Sequence, residues 1–377
     1  MGHSPYDIGL IFPLAEEFEY AREAMSFDEP VIEEGRYFHP FDIPGTRLRG
    51  VAAVQHDMGL ASATLVAADL LNRFKVRMLA LIGIAGALDD DLKLGDVVIA
   101  QGVEEYLTGV KAEPVPGAAD VYEFAHAGTP WNISADMLAY VREFRFRSEG
   151  QVLHQSWQRE ADERRQQAGL PGGLVSDAPR YHVLPIASGD VVVAAEPFAR
   201  WLKSRNRRLA AVEMEGGGVA RTFYNSRGGV ELLIIRGISD FADERKRTLD
   251  RAAGTRIARG AWRQYATRNA VGLFQALVST PGLRLPGRGD GGGGATGEGG
   301  RASGRRGAGL VPYFAGEKAL EFAIDEVTGP DAVPPDWSAD RSVADEVDPD
   351  GRPGDLDGHP GDVDGGWDDS GYGGEYA

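Results

Sequence analysis

The chain has 377 residues, 42% of them hydrophobic, and a formal net charge of −17. That length allows two average domains or one large α/β domain with additions, and the acidic balance argues against a nucleic-acid-binding surface. Cysteine is absent, which excludes disulfides, thiolate metal sites and cysteine nucleophiles and fits a reducing compartment.

Residues 1–7 are polar and run into a short apolar stretch. No charged-then-apolar leader pattern and no apolar run of about 18 residues is present, so neither export nor membrane spanning is expected and a cytoplasmic location is. IGLIFP (8–13) predicts a first buried strand. Residues 14–25 follow with helical spacing at Leu14, Phe18 and Ala21. Tyr37-Phe38 and residues 48–55 predict further strands, and 61–74 an Ala-rich helix. RMLALI (77–82) predicts a central strand ending in the Gly83-Ile84-Ala85-Gly86 turn, with another strand over 95–100. This alternation of strand and helix, with glycines at strand ends, predicts an α/β sheet with its ligand site at the strands' carboxyl ends. Residues 104–180 are less legible. Helical spacing recurs at 134–146, and a charged segment at 155–167 predicts an exposed helix. Regular structure is expected at 181–186 and 191–193, a Gly-rich helix start at 216–224, a last strand at 231–238 and a closing amphipathic helix at 262–278.

Composition then changes. A globular domain over 1–283 gives way to a Gly/Arg-rich linker at 284–309, a short helix within 310–329 and an acidic tail over 330–377. Residues 331–377 hold 14 acidic and 2 basic residues, a net of −12, which leaves only −5 for the rest. Such a tail, poor in large aliphatics, is expected to be disordered. Its Asp-x-Asp-Gly repeat, starting at Asp348, Asp355 and Asp362, lacks the distal Glu and further oxygen ligands of a calcium loop and reads as low complexity.

Three carboxylate-bearing segments follow predicted strands: Glu16-Glu17, Glu213-Met214-Glu215 and Ser239-Asp240. Each has a structural alternative. Glu16-Glu17 suits a helix first turn, and Ser239-Asp240 suits an N-cap. The three glycines after Glu215 suggest a backbone approached closely by a ligand. His56 reads as a hydrogen-bonded structural residue and Arg236 as the partner of a buried acid. Arg245 and Lys246 read as solvated surface, with contact to a 5′-phosphate as the alternative. Gly83-x-x-Gly86 lacks the Lys-Ser/Thr of a phosphate-binding P-loop.

Six segments in order, IGLIFPLAEEF (8–18), QHDMGLASA (55–63), GIAGALDDDLKLGDVVIA (83–100), ASGDVVV (187–193), VEMEGGGVA (212–220) and IRGISDFAD (235–243), resemble the methylthioadenosine/S-adenosylhomocysteine nucleosidases and their purine nucleoside phosphorylase relatives. The wording is closer still to phosphorylase-superfamily domains of bacterial and fungal conflict and immunity proteins, which carry a GISD-type motif followed by a Lys, here Lys246, and a closing helix with Trp262, Tyr265 and Ala266. The resemblance covers about residues 7–280.

It implies a three-layer phosphorylase/hydrolase-like fold with a central mixed β-sheet flanked by helices. It implies cleavage of a purine N-glycosidic bond, with Asp240 as general acid toward N7 and Glu17 as the water-activating carboxylate. The acid role calls for a closed pocket that keeps a proton on Asp240. Glu215 would bind the ribose hydroxyls, Met214 pack on the sugar, and the Val192 and Val193 backbone contact the base. Ser239, Gly83 and Ile84 fall among the substrate-binding positions. The partner implied is a small purine nucleoside or nucleotide, with no cofactor, metal, nucleic acid or membrane. A homo-oligomer, dimer or higher, is implied too.

Phosphorolytic relatives hold phosphate with Arg and Ser around the GxxG turn. Here that turn has neither, and Glu16-Glu17 would repel phosphate, so hydrolysis of an adenine nucleoside or nucleotide is the expected reaction. Ile84 stands where the nucleosidases carry Ser, a departure shared with the conflict-associated subgroup. The 5′ group stays open between a methylthioadenosine-like substrate and AMP or ATP. A phosphorylase, a non-catalytic nucleotide-sensing effector module, and a protein docking partners through its tail are the other readings.

Overall fold

A computed structural model describes residues 6–117, 122–125, 128–171, 173–176, 178–226, 229–246, 249 and 260–287. Beyond residue 287, the expected linker, the short helix within 310–329, the acidic tail and its Asp-x-Asp-Gly repeat lie outside the described residues.

The chain opens with strand β1 (Ile8–Phe12) and helix α1 (Ala15–Arg22), then β2 (Val31–Glu33), β3 (Arg36–Asp42), β4 (Arg49–Val54) and α2 (Leu60–Phe74). The central strands β5 (Met78–Ala87) and β6 (Val97–Glu105) follow. Then come β7 (Lys111–Pro114), β8 (Tyr122–Ala125), β9 (Thr129–Asn132), α3 (Ala135–Glu143) and α4 (Ser148–Gln167). The last elements are β10 (Tyr181–Ser188), α5 (Glu196–Arg205), β11 (Ala211–Glu213), α6 (Gly216–Asn225), β12 (Glu231–Asp240) and α7 (Ala261–Ser279).

The main sheet runs β11-β10-β6-β12-β5-β1-β4-β3-β2, and β11 also pairs with β5. That second pairing closes five strands into a small barrel, with β1 to β4 extending from it. The sheet is mixed: β1, β4, β5 and β12 pair in parallel, whereas β12 meets β6 antiparallel. Its central strands are buried, β1 along its whole length and β5 at every residue but Ile84, as their apolar runs require. Helices α1, α4 and α7 pack together, with α7 on β12 and β5, while α2 packs on β1 and against α6.

Several expectations change. β5 does not stop at Ile82 but runs through Gly83–Gly86, in register with Arg236 to Asp240 of β12. Glycines keep the strand going because side chains from elsewhere fill their places. A methyl at Gly83 would fall on Arg236 Nη1 and within 2.9 Å of Glu17 Oε1, and one at Gly86 within 2.8 Å of Asp240 Oδ1. Residues 191–193 form no strand; they belong to the loop between β10 and α5. Helix α4 starts at Ser148 and buries Trp157, whose indole donates to Asn269 O at 2.9 Å. It is a packed helix with one charged face, not a fully exposed one. The glycines at 216–218 serve helix packing: a methyl on Gly217 would meet Glu105 Cγ at 2.5 Å, and one on Gly218 would strike Leu60 O of α2. Among the described residues, no helix is long and apolar enough to cross a membrane.

Candidate active site

The carboxyl ends of β1, β5, β11 and β12 converge on a pocket of about 250 Å³. Its walls include Glu17, Ile84, Val192, Val193, Met214, Glu215, Ser239 and Asp240. Gly83 lies beside it rather than in its lining. His56 is exposed and stands off the pocket. Pro13, Leu14, Met58, Glu213, Lys246 and Arg263 also line it.

At the floor, Arg236 of β12 is fully buried and gathers the acids. Its Nη2 donates to Glu213 Oε2 and, at 3.0 Å, to Glu215 Oε2. Burial works against the guanidinium charge, but Glu213, Glu215 and Glu17 outweigh it and raise its pKa. Glu213 also accepts the Glu215 and Gly216 amides at 3.1 and 2.8 Å, capping α6. That division of labour leaves Glu215 to the pocket. Glu215 Oε1 accepts the Gly59 amide at 3.1 Å, at the N-terminus of α2. The next amide, Leu60, donates to Asp190 Oδ1 at 2.7 Å. The positive end of α2 thus holds Glu215 and the 189–193 loop in one arrangement. Burial raises the Glu215 pKa, Arg236 opposes it, and Glu213 adds to it.

Glu17 sits in the first turn of α1, as a helix-dipole reading of the sequence allows, yet it points inward and is 2% exposed. Its Oε2 accepts the Leu14 amide at 3.1 Å and its Oε1 the Ile84 amide at 2.9 Å. Burial pushes its carboxyl up to about 7, with Arg236 pulling down and Glu215 pushing up. A carboxyl poised there can take or give a proton near neutrality. Glu16, one residue earlier, turns away to pair with Arg263 at 3.1 Å.

Asp240 ends β12 and caps none of the described helices. Its Oδ1 accepts the Ala242 amide at 2.9 Å, and its Oδ2 accepts from Ser239 Oγ at 3.0 Å and Lys246 Nζ at 2.8 Å. A hydroxyl and an ammonium thus both donate to the same carboxylate oxygen. Lys246 is therefore a pocket residue and not solvated surface. Arg245 does lie outside the lining, stacked on Phe241 at 4.3 Å and paired with Asp243. Glu213 and Arg236 stand in the quoted motifs, but only the fold reveals that one cation pairs with two buried acids, Glu213 and Glu215. Among the described residues no group of three or more acidic or His side chains is arranged to hold a metal.

The buried trio makes a stability prediction. Arg236→Met removes the cation and leaves the acids unpaired, so chemical denaturation should show a loss of about 3–5 kcal/mol. A loss below about 1 kcal/mol would show that the carboxylates do not depend on it.

An ATP nucleosidase, Cap17, from Escherichia coli is 27% identical over 202 residues, covering 52% of this chain and 37% of that protein. The chain thus spans well under half the length of that relative. A 5′-methylthioadenosine/S-adenosylhomocysteine nucleosidase from Maridesulfovibrio salexigens is 26% identical over 239 residues, covering 63% of this chain and 87% of the relative. The solved futalosine hydrolase of Helicobacter pylori shares the fold, with a TM-score of 0.50 at 21% identity, covering 74% of this chain and 99% of that one. The sequence pattern of the phosphorylase superfamily matches residues 7–278, and the chain belongs to that superfamily.

Proposed function

We propose that the protein is a cytoplasmic purine nucleosidase that hydrolyses the N-glycosidic bond of an adenine nucleoside or nucleotide. The observation that carries this is the contact between Glu17 and the Ile84 amide, 2.9 Å. A phosphate-binding turn needs its amides free for the anion. Here a carboxylate already occupies that place, and burial sets it near the pKa of a useful base.

In this reading Glu17 takes a proton from water, and the water oxygen bonds to C1′ as the C1′–N9 bond breaks. The electron pair leaves with the base. Asp240, resupplied by Lys246, gives N7 its proton. Glu215 holds the ribose hydroxyls, Met214 covers the sugar, and the Val192 and Val193 main chain meets the base. Ser239 steadies Asp240, and Ile84 lines the sugar side in place of a hydroxyl. The same reading includes a homo-oligomer: Met58 and Val192, 53% and 54% exposed, leave apolar surface at the pocket rim for a second copy to cover.

Chromatography of products from adenosine, AMP, ATP, methylthioadenosine, inosine and guanosine, with and without phosphate, tests this. Adenine release unaffected by phosphate is expected, and the preferred substrate identifies the 5′ group. Base release only with phosphate would make the protein a phosphorylase. Tight binding without release would make it a sensor.

A further inference from the structure

A second cavity, about 510 Å³, lies at the opposite end of β10 from the active site. It is lined by Arg142 in the last turn of α3, by Arg145 and Phe146 just beyond that helix, and by Arg180, His182 and Val183 at the start of β10. Two independent features meet there.

The first is an open sheet edge. β6 flanks β10 from Tyr181 onward, whereas β11 pairs only with Ile186–Ser188. Tyr181 to Leu184 therefore have a strand on one side and none among the described residues on the other. Arg180 O accepts the Val97 amide of β6 at 2.9 Å. By the alternation of a parallel ladder, His182 and Leu184 turn their main chain to β6, and Val183 turns its main chain to the open side. An edge of this kind can accept an added strand.

The second is charge. Three guanidinium groups face one carboxylate, that of Glu143. No carboxylate within ion-pairing distance serves Arg142 or Arg145 among the described residues: Arg142 donates to Gln101 Oε1 at 3.1 Å, and Arg145 lies over the Phe146 and Tyr181 rings at 5.0 and 5.8 Å. Arg180 donates to Asp91 O at 3.2 Å and stands 4.0 Å from Asp96. Phe146 is 68% exposed and offers an apolar face between the charges. The remaining group, His182, lies 3.7 Å from Asp96. In a chain of net charge −17, a cationic groove along an open strand is a local exception.

We propose that this groove is a peptide-docking site that takes an extended acidic segment of a partner protein as an added strand beside β10. Main-chain bonds to Val183 would fix its register. Arg142, Arg145 and Arg180 would select acidic side chains, and Phe146 an intervening apolar one.

The test uses the full chain and a fluorescent peptide of alternating Glu and Val. Anisotropy should show saturable binding, and hydrogen exchange at Tyr181–Leu184 should slow when the peptide is added. Affinity should fall at least about tenfold in the R142E/R145E double variant, and by as much for a peptide N-methylated at alternate amides. An unchanged melting temperature shows that the double variant is folded. No binding up to about 1 mM overturns the proposal, as does binding that ignores the arginine changes. Equal binding of the N-methylated peptide overturns it too, because the groove would then read charge alone.

Discussion

The Asp240→Asn variant is expected to lose about 10²–10⁴-fold in the rate of adenine release while remaining folded. Asparagine has the same shape, and its amide oxygen can still accept the Ala242 amide that Asp240 Oδ1 accepts at 2.9 Å. What it cannot do is carry a proton from Lys246 Nζ, 2.8 Å from Oδ2, to the departing base. The loss should therefore appear in kcat, with KM little changed. The asparagine NH₂ would face Lys246 Nζ and cost some stability, so steady-state kinetics, with a cooperative melting transition retained, checks this. Turnover near that of the unmodified protein would remove Asp240 from the chemistry. A loss confined to KM would make it a binding group only.

Glu17→Gln should be comparably severe, about 10²–10⁴-fold, and should also change the pH profile. Glu17 must be ionised to take a proton from water. With its pKa pushed up to about 7, the ionised fraction rises about tenfold per pH unit below neutrality and levels above it. In the unmodified protein kcat/KM should climb through about pH 7 and then flatten, and the residual activity of the variant should lack that climb. Gln keeps an acceptor for the Ile84 amide but turns an NH₂ toward the Leu14 amide, so some stability is lost as well. A rising limb that survives in Glu17→Gln would assign the titration to another group.

How much of this was legible in the sequence varies by physical cause. Buried strands such as IGLIF announce themselves because both faces are covered and the apolar run is unbroken. Short strands such as β2, β7 and β9 have no such run; β2 and β9 are set by pairing with β3 and β6, and β7 by pairing with β8. Glycine was the most misleading letter. Gly83 and Gly86 look like a turn but stay in β5, because Arg236 and Asp240 fill the space their side chains would take. Gly217 and Gly218 suggest a ligand but instead admit Glu105 and α2. The pocket carboxylates could be named from motifs, and the pairing of Arg236 with buried acid could be expected. The inward turn of Lys246 could not, since its partner sits across a bend that no periodicity describes.

The most direct measurement of the central claim is mass spectrometry of the sugar product formed in phosphate-free H₂¹⁸O from an adenine nucleoside. The account predicts free adenine and a sugar bearing one ¹⁸O at C1′, delivered by water activated at Glu17. A sugar 1-phosphate formed only when phosphate is supplied, or no cleavage of any adenine nucleoside or nucleotide, would contradict it.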